Sequence, residues 1–375
     1  VGSNSDSSTV MNAYTKSDVF GGLDLFGDIN YTSTPSTGGI AGINDDSIII
    51  NTYARGKVLG LGDVGGLVGT DNAGTVTNSY WDIATTGQTS SAGGGTGYFT
   101  AQMQTEGTYA GWSFLNNSTG VYGDWIMVKE DDYPHLQIEN TMAKIFGIQN
   151  VTQLQLINVD TTGEYTLRNN IDASETAGWN NGEGFNPINN LLNEGFDGTL
   201  DGQNYTISNL SITRPSESEI GLFSRLDNGG VVKNVGLIDP TIIGNTYVGG
   251  LSGYFSPTTL RTDGLIQNSY VSGGTIGLAG VSTNVGGLVG SMREGRIIDS
   301  WSSADIVGVS DLGGVVGYML GGSTVFDNVY STGSVTATNS NGRVGGLVGY
   351  LYSLDNRPMM LNRVFSTGDV QNDSL

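Results

Sequence analysis

The sequence predicts an all-β chain wound as a parallel β-helix, a β-solenoid with loop insertions and one short helix. Three observations predict it. The first is composition: Gly is 60 of 375 residues, Pro only 7, and the apolar residues are mainly Val, Ile and Leu alongside 17 Tyr. Such residues suit strands, and abundant Gly with little Pro suits tight turns rather than collagen or a Pro-rich linker. The second is a recurring phrase. "VGGLVG" stands at 64–69, 285–290 and 344–349, with near copies "VGGLSG" at 248–253 and "LGGVVG" at 312–317. Looser forms are "TGGIAG" at 37–42 and "IGLFSR" at 220–225. The third is a strand-like phrase after each of these, reading apolar, any, Asn, any, aromatic.

The apolar position of that second phrase holds Val10, Ile49, Val76, Val232, Ile266, Ile297, Phe326 and Leu361. Its middle position holds Asn12, Asn51, Asn78, Asn234, Asn268, Asp299 and Asn328, with Arg363 a departure. Its aromatic position holds Tyr14, Tyr53, Tyr80, Tyr270, Trp301, Tyr330 and Phe365, with Gly236 a departure. Alternate positions of a strand share one face, so the three are expected to point the same way. The Asn residues then form an amide ladder from coil to coil, and the Tyr and Trp rings stack and fill the interior. A third segment ends on Val19, Val58, Ile306, Val335 or Val370. Three short strands per unit, repeated at roughly 30 residues, describe one solenoid coil. Gly is expected at the bends, where it supplies φ > 0 and lets stacked backbones approach. Length variation falls in outer loops such as 253–265 and 350–360.

The G-G-L-V-G phrase with its following N-S-Y-S-T-G-like strand resembles the GLUG motif. That motif is found in large bacterial surface and secreted proteins, among them filamentous-haemagglutinin-like adhesins. The resemblance covers 1–80 and 220–375. It implies a right-handed helix on an exported, adhesin-like protein at the bacterial cell surface or outside it, and it implies no ligand.

Between the two blocks the rhythm breaks. Residues 81–144 read as an irregular, Trp-containing insert or edge that closes one stack. Within it "TAQMQTEG" at 100–107 is the predicted short helix, opened by Thr100 as N-cap. Residues 145–214 restart the alternation, in "NVTQLQLINVDTTGEYTLRNNIDAS" at 150–174 and more clearly in "GFDGTLDGQNYTISNLSI" at 195–212. They read as the opening coils of a next module, similar to those that precede GLUG repeats, and 215–375 as its body. The expected order is therefore repeats over 1–80, insert over 81–144, opening coils over 145–214 and repeats over 215–375.

Charge and composition exclude several classes. The net charge of −21 disfavours nucleic acid and anionic lipid. Cysteine is absent, so no disulfide framework or thiolate metal site exists. No apolar run reaches the roughly 18 residues of a membrane span. Val1 reads as the interior of a repeat, which places any leader upstream.

Chemistry-bearing residues are sparse. The single His, His135, has no second His to join it, so its expected role is structural. Asp45 and Asp46, and likewise Asp131 and Asp132, are adjacent and would face opposite ways along a strand. Asp197 and Asp201 each precede Gly and read as turn residues. Carboxylate-rich loops suit a structural calcium ion, although no EF-hand or nonapeptide calcium repeat is present. No other cofactor is expected. "GGGTG" at 93–97 lacks the Lys and helix of a phosphate loop. The expected function is structural and non-enzymatic: a solenoid segment of an adhesin stalk or filament. Its expected partners are further copies or modules of the same chain, head to tail, with cell-surface glycan or protein at the outer loops. The competing expectation is a glycan-binding or glycan-cleaving β-helix with its groove in those loops.

Overall fold

The computed structural model describes residues 1–22, 34–115, 123–128, 132–189, 195–256, 264–321, 324–353 and 359–372. The chain is mostly strand and divides into two compact units, Val1–Gln137 and Ile138–Leu375.

In the first unit, Thr9–Thr15, Ile48–Ala54, Thr75–Asp82 and Gly94–Tyr98 form one parallel sheet. The register places Val10 beside Ile49 and Ile49 beside Val76, and Tyr14 beside Tyr53 and Tyr53 beside Tyr80. A second parallel sheet joins Ser3–Asn4, Ala41–Asp45 and Val68–Asn72. Ile40, Ala41, Ile49, Leu67, Val68 and Trp81 fill the space between.

The second unit repeats this arrangement over more strands. Thr199–Asp201, Val231–Lys233, Leu265–Gln267, Gly295–Ser302, Thr324–Ser331 and Met360–Ser366 pair in order, all parallel. A further sheet runs from Ser211–Thr213 to Val370–Asn372, and another from Phe223–Asp227 to Val348–Tyr352. Each strand thus meets its equivalent in the next repeat. Leu200, Val232, Ile266, Ile297 and Phe326 form one buried apolar column, and Ile212, Ile242, Ile276, Ile306 and Val335 another.

The single-face expectation for the second phrase is corrected by the backbone. Every residue at its middle position has positive φ, from 43° at Asn78 to 57° at Asn328, with Asp299 at 49° and Arg363 at 52°. Asn and Asp tolerate this left-handed conformation better than other side chains, which accounts for the residue choice. The bend inverts the alternation. The apolar residue points in, Asn points out, the next residue points in, and the aromatic ring lies on the outer surface instead of filling the interior. The inward residue after Asn is Thr52, Ser79, Val235, Ser269, Ser300 or Val329, all buried.

These inward hydroxyls do structural work. Ser269 Oγ donates to the carbonyl of Gln267 at 2.8 Å and lies 3.4 Å from the Val235 N–H as its acceptor. Ser300 Oγ likewise donates to the Ile298 carbonyl at 2.7 Å and accepts the Ser269 N–H at 3.2 Å. Ser79 does the same between the Thr77 carbonyl and the Thr52 N–H. The bend turns one backbone N–H away from the strand ladder, and the hydroxyl of the next coil satisfies it. Replacing Ser300 by Ala is therefore expected to cost about 1–3 kcal/mol, the penalty of an orphaned buried donor. Urea unfolding measures this, and loss of protection at the Ser269 amide in hydrogen exchange locates it.

The Gly-Gly phrase also differs from expectation. Gly249, Gly250, Gly286, Gly287, Gly313 and Gly314 are not in the positive-φ region. They are Gly because stacked corners leave no room: a Cβ on Gly250 would stand 2.5 Å from the Gly287 carbonyl oxygen, and one on Gly314 2.3 Å from that of Gly346.

Helices are more numerous than the one expected. Among the described residues the α-helices are Ile83–Thr86, Thr100–Met103, Ile138–Phe146 and Val151–Gln155. Thr100 is not the N-cap of its helix. Phe99 stands there, its N–H donating to Gln102 Oε1 at 3.2 Å, while Thr100 Oγ1 donates to Asp82. The strand expectation for 150–174 holds at Glu164–Thr166 and Ile171–Asp172 but fails over Val151–Val159. Asn150 caps a helix by accepting the Gln153 N–H, and Val151, Leu154 and Ile157 are buried at helical spacing. Residues 138–144, assigned above to the insert, begin the second unit as the helix Ile138–Phe146, with Ala143 in that unit's core.

Candidate functional site

The outer columns are the feature that the repeat builds most persistently. In the first unit Asn51 Nδ2 donates to Asn12 Oδ1 at 3.2 Å, and Asn12 Nδ2 donates to Asp124 Oδ2 at 2.9 Å. In the second unit Asn234 donates to Asp201 at 3.0 Å, Asn268 to Asn234 at 2.9 Å, and Asn328 to Asp299 at 2.8 Å. Arg363, the departure, pairs through two nitrogens with Asp327 one coil back, at 2.9 and 2.8 Å.

The rings form a parallel column beside the amides. Tyr14 and Tyr53 stack with centroids 5.0 Å apart. Tyr270, Trp301, Tyr330 and Phe365 stack at successive spacings of 4.7, 5.7 and 4.9 Å, with interplanar angles of 2°, 6° and 3°. Gly236 ends this column because the Tyr270 ring lies across it: a Cβ there would be 2.4 Å from Tyr270 Cζ. Stacked this way the rings turn their edges outward and keep their faces for each other. A sugar ring packs on an aromatic face, so the column is not a carbohydrate platform along its length.

The two units differ in what lies over this column. In the first, Met103, Tyr109, Trp112, Trp125 and Tyr133 close over Tyr53 and Tyr80, and Tyr53 is 0% exposed. Tyr53 OH donates to the Pro134 carbonyl at 2.8 Å, and Trp112 Nε1 to the Asn78 carbonyl at 2.7 Å. Asp82, also fully buried, ties the segment down. Its Oδ1 accepts the Ala84 and Thr85 amides, and its Oδ2 accepts the Thr100 and Tyr133 hydroxyls. Burial, then the hydrogen bond to Asp82, raises the Tyr133 phenol well above its ordinary value. The Arg55 guanidinium lies 4.4 Å from the centre of the Tyr133 ring. In the second unit Tyr270, Trp301 and Tyr330 are partly exposed and Phe365 is 52% exposed.

The other candidate residues do not converge. His135 is buried, 3.2 Å from Asp132 and edge-on to Tyr14. Asp45 and Asp46 are exposed, and Asp131 lies outside the described residues. Asp201 accepts hydrogen bonds from Asn234 and the Gln203 amide and meets Lys233 at 3.3 Å; these outweigh burial and lower its pKa. Among the described residues no three His, Asp or Glu side chains are placed together to hold a metal ion. Much of the outer loops 253–265 and 350–360 lies outside the described residues.

One cluster escaped sequence reasoning. Phe196 pairs with Leu226, which sets Asp197 next to Asp227 in the adjacent coil. Arg225 Nε stands 3.3 Å from Asp227 and 3.7 Å from Glu219, and its guanidinium lies 4.9 Å from the Tyr254 ring centre. Asp227 is 5% exposed, and burial pushes its carboxyl up to about 6 against the pull of Arg225. No sequence motif marks this group, because Asp197 and Tyr254 reach Arg225 and Asp227 from the neighbouring coils.

No family model matches the chain. It is similar to halomucin of Haloquadratum walsbyi, 33% identical over 297 residues that make up 74% of this chain and 3% of halomucin. A protein of Evansella cellulosilytica, provisionally named a Gly-rich membrane protein, is 38% identical over 31% of this chain and 14% of its own length. An immunoglobulin A1 protease of Streptococcus sanguinis is 26% identical over 65% of this chain and 12% of its own length. The chain therefore spans a small part of each of these relatives. A solved structure from Bacteroides ovatus, provisionally assigned as an immunoglobulin A1 protease, is 20% identical and covers 60% of this chain and 66% of its own, with a TM-score of 0.49.

Proposed function

We propose that the chain is a structural segment of an extracellular β-solenoid of the GLUG-repeat kind, extended by further coils stacked on its ends. The observation that carries this is the coil-to-coil pairing in one register, with the apolar column continuous through it and the ring column running from Tyr270 to Phe365. Such a stack has no internal reason to stop, since each coil is covered only by its neighbours. The outermost coils support the same reading. Met360, Leu361, Phe365, Val370, Leu351 and Tyr352 are exposed on the last coil of the second unit, and Met11 and Phe20 on the first coil of the first. The equivalents of Leu361, Leu351 and Val370 one coil inward, Phe326, Met319 and Val335, are fully buried. Open strand edges with apolar side chains are templates for pairing. A role as part of a long surface or secreted protein is further supported by the names of the relatives and by how little of each the chain spans. Within this reading the chain is a structural, non-enzymatic element of a stalk or filament.

Negative-stain microscopy with light scattering over a range of concentrations tests the end-on contact. Rods that lengthen with concentration are expected, and Leu361→Lys with Phe365→Lys should shorten them to single units. Uniform short particles at high concentration would sink the stacking reading.

A further inference from the structure

We propose that the open ring-and-amide strip of the second unit is a docking surface for a Trp- and Tyr-bearing segment of a separate polypeptide. The chemistry of that segment is the one carried by residues 103–136 in the first unit. The inference does not depend on end-on stacking, because the strip lies along the coils and not at their ends.

The chain shows the same strip in two states. In the first unit it is covered, and the covering chemistry is explicit. Trp112 and Trp125, with ring centroids 4.2 Å apart, lie 6.2 and 6.1 Å from Tyr53, and Tyr133 stacks on Tyr53 at 5.8 Å. Tyr109 meets the Tyr80 ring edge to face at 5.3 Å and 86°. The phenols of Tyr53 and Tyr80 donate to main-chain carbonyls of the cover, at Pro134 and Ala110. The amide column takes part as well, through Asn12 to the Asp124 carboxylate.

In the second unit the strip has the same register but stands open; its four rings stack in series, whereas among the described rings of the first unit Tyr14 stacks on Tyr53 and the cover's Tyr133 stacks on Tyr53 in turn. Among the described residues, Tyr270, Trp301 and Tyr330 make ring contacts only within their own column. Beside them Asn268, Asp299 and Asn328 are exposed. An outward row of ring edges, phenol donors and amides suits a polypeptide that brings aromatic faces, carbonyls and a carboxylate. It does not suit a glycan, which needs ring faces.

The test uses the whole chain and a labelled synthetic peptide of residues 99–137, read by fluorescence anisotropy. Saturable binding is expected, weakened about tenfold or more by Trp301→Ala, as for an aromatic anchor at the centre of a contact. Asn328→Arg is a second variant with a built-in precedent, since Arg363 occupies the same backbone conformation one coil on. It should keep the unfolding midpoint of the parent and weaken binding comparably by lying across the strip. Absence of saturable binding overturns the proposal. So does binding that ignores both substitutions, which would mean exchange at the first unit. Pairing of the chain with itself that Trp301→Ala abolishes, without peptide binding, would assign the strip to a second copy and overturn the separate polypeptide.

Discussion

Replacing Gly287 by Val is expected to destabilise the second unit by about 3 kcal/mol or more, the upper range for forcing bulk into a packed interior. A Cβ at this position would stand 2.2 Å from the Gly314 carbonyl oxygen and 2.3 Å from Ser302 Oγ. Neither neighbour can yield. The carbonyl belongs to the next corner of the stack, and Ser302 is fully buried. The coil would have to separate from the one beside it, and in a stacked array an internal coil contributes two interfaces. Gly287→Ala should show a smaller loss of the same sign. Gly178→Ala, where no atom lies within 4 Å of the new Cβ, should change stability by no more than about 0.5 kcal/mol. Denaturant unfolding of the three variants decides the matter. A Gly287→Val chain within about 0.5 kcal/mol of the parent would show that the corners are not stacked as described.

The same corner shows what was legible in the sequence. The phrase ending Tyr330-Ser331-Thr332-Gly333 could be read as a strand with a turn, and its spacing from the Gly-Gly phrase set the pairing of one repeat with the next. The small residue after each ring could not be explained from one coil. Ser302 and Ser331 are small because they point at the Gly of the corner across the coil, 2.3 and 2.1 Å from where a Cβ on Gly287 or Gly314 would be. The direction of the rings was also hidden. A strict period of two puts Asn268 and Tyr270 on one inner face, and only the positive φ at Asn268 reveals the inversion that sets Ser269 inside. Asn at a repeated position is a signal for that backbone state as much as for a side-chain ladder. The stretch after Asn150 fits strand and helix about equally by apolar spacing. Its cap, with Asn150 accepting the Gln153 N–H and the Gln153 side chain accepting the Gln149 N–H, is the cue that separates them. The cover of the first unit was visible as a break in rhythm and a run of Trp. Its seat on Asp82 depends on contacts between Asp82 and Tyr133, far apart in the chain, which no local pattern encodes.

The Asp227 cluster gives the second large effect, and its sign runs against the usual behaviour of a carboxylate. Burial comes first among its influences and favours the neutral acid. Asp197 and Glu219 act the same way, and the Arg225 guanidinium opposes them without prevailing. The folded-state value of about 6 lies above the ordinary 3.8. Stability from this group is therefore fully present below pH ~4 and is lost as pH rises through about 6, by an amount on the order of 3 kcal/mol for a shift of this size. Asp227→Asn holds the site neutral at every pH. It should unfold about 1–2 kcal/mol later than the parent at pH 8, the gain being reduced by the ion pair Arg225 loses, and should show no gain at pH 4. Asp160 and Asp201 move the other way. Each is held below the ordinary range by its hydrogen bonds and a Lys partner despite burial, and each withdraws stability as pH falls. They are common to both proteins, so the difference between variant and parent across pH reports Asp227 together with its coupling to Glu219, whose carboxyl burial also raises. A difference that stays constant from pH 4 to 8 would remove the raised carboxyl from the account. A difference that opens between those limits would show that this site tolerates one buried negative charge fewer than its three clustered carboxylates supply. In a chain of net charge −21, the cluster would then be a place where acidity is carried at a loss of stability.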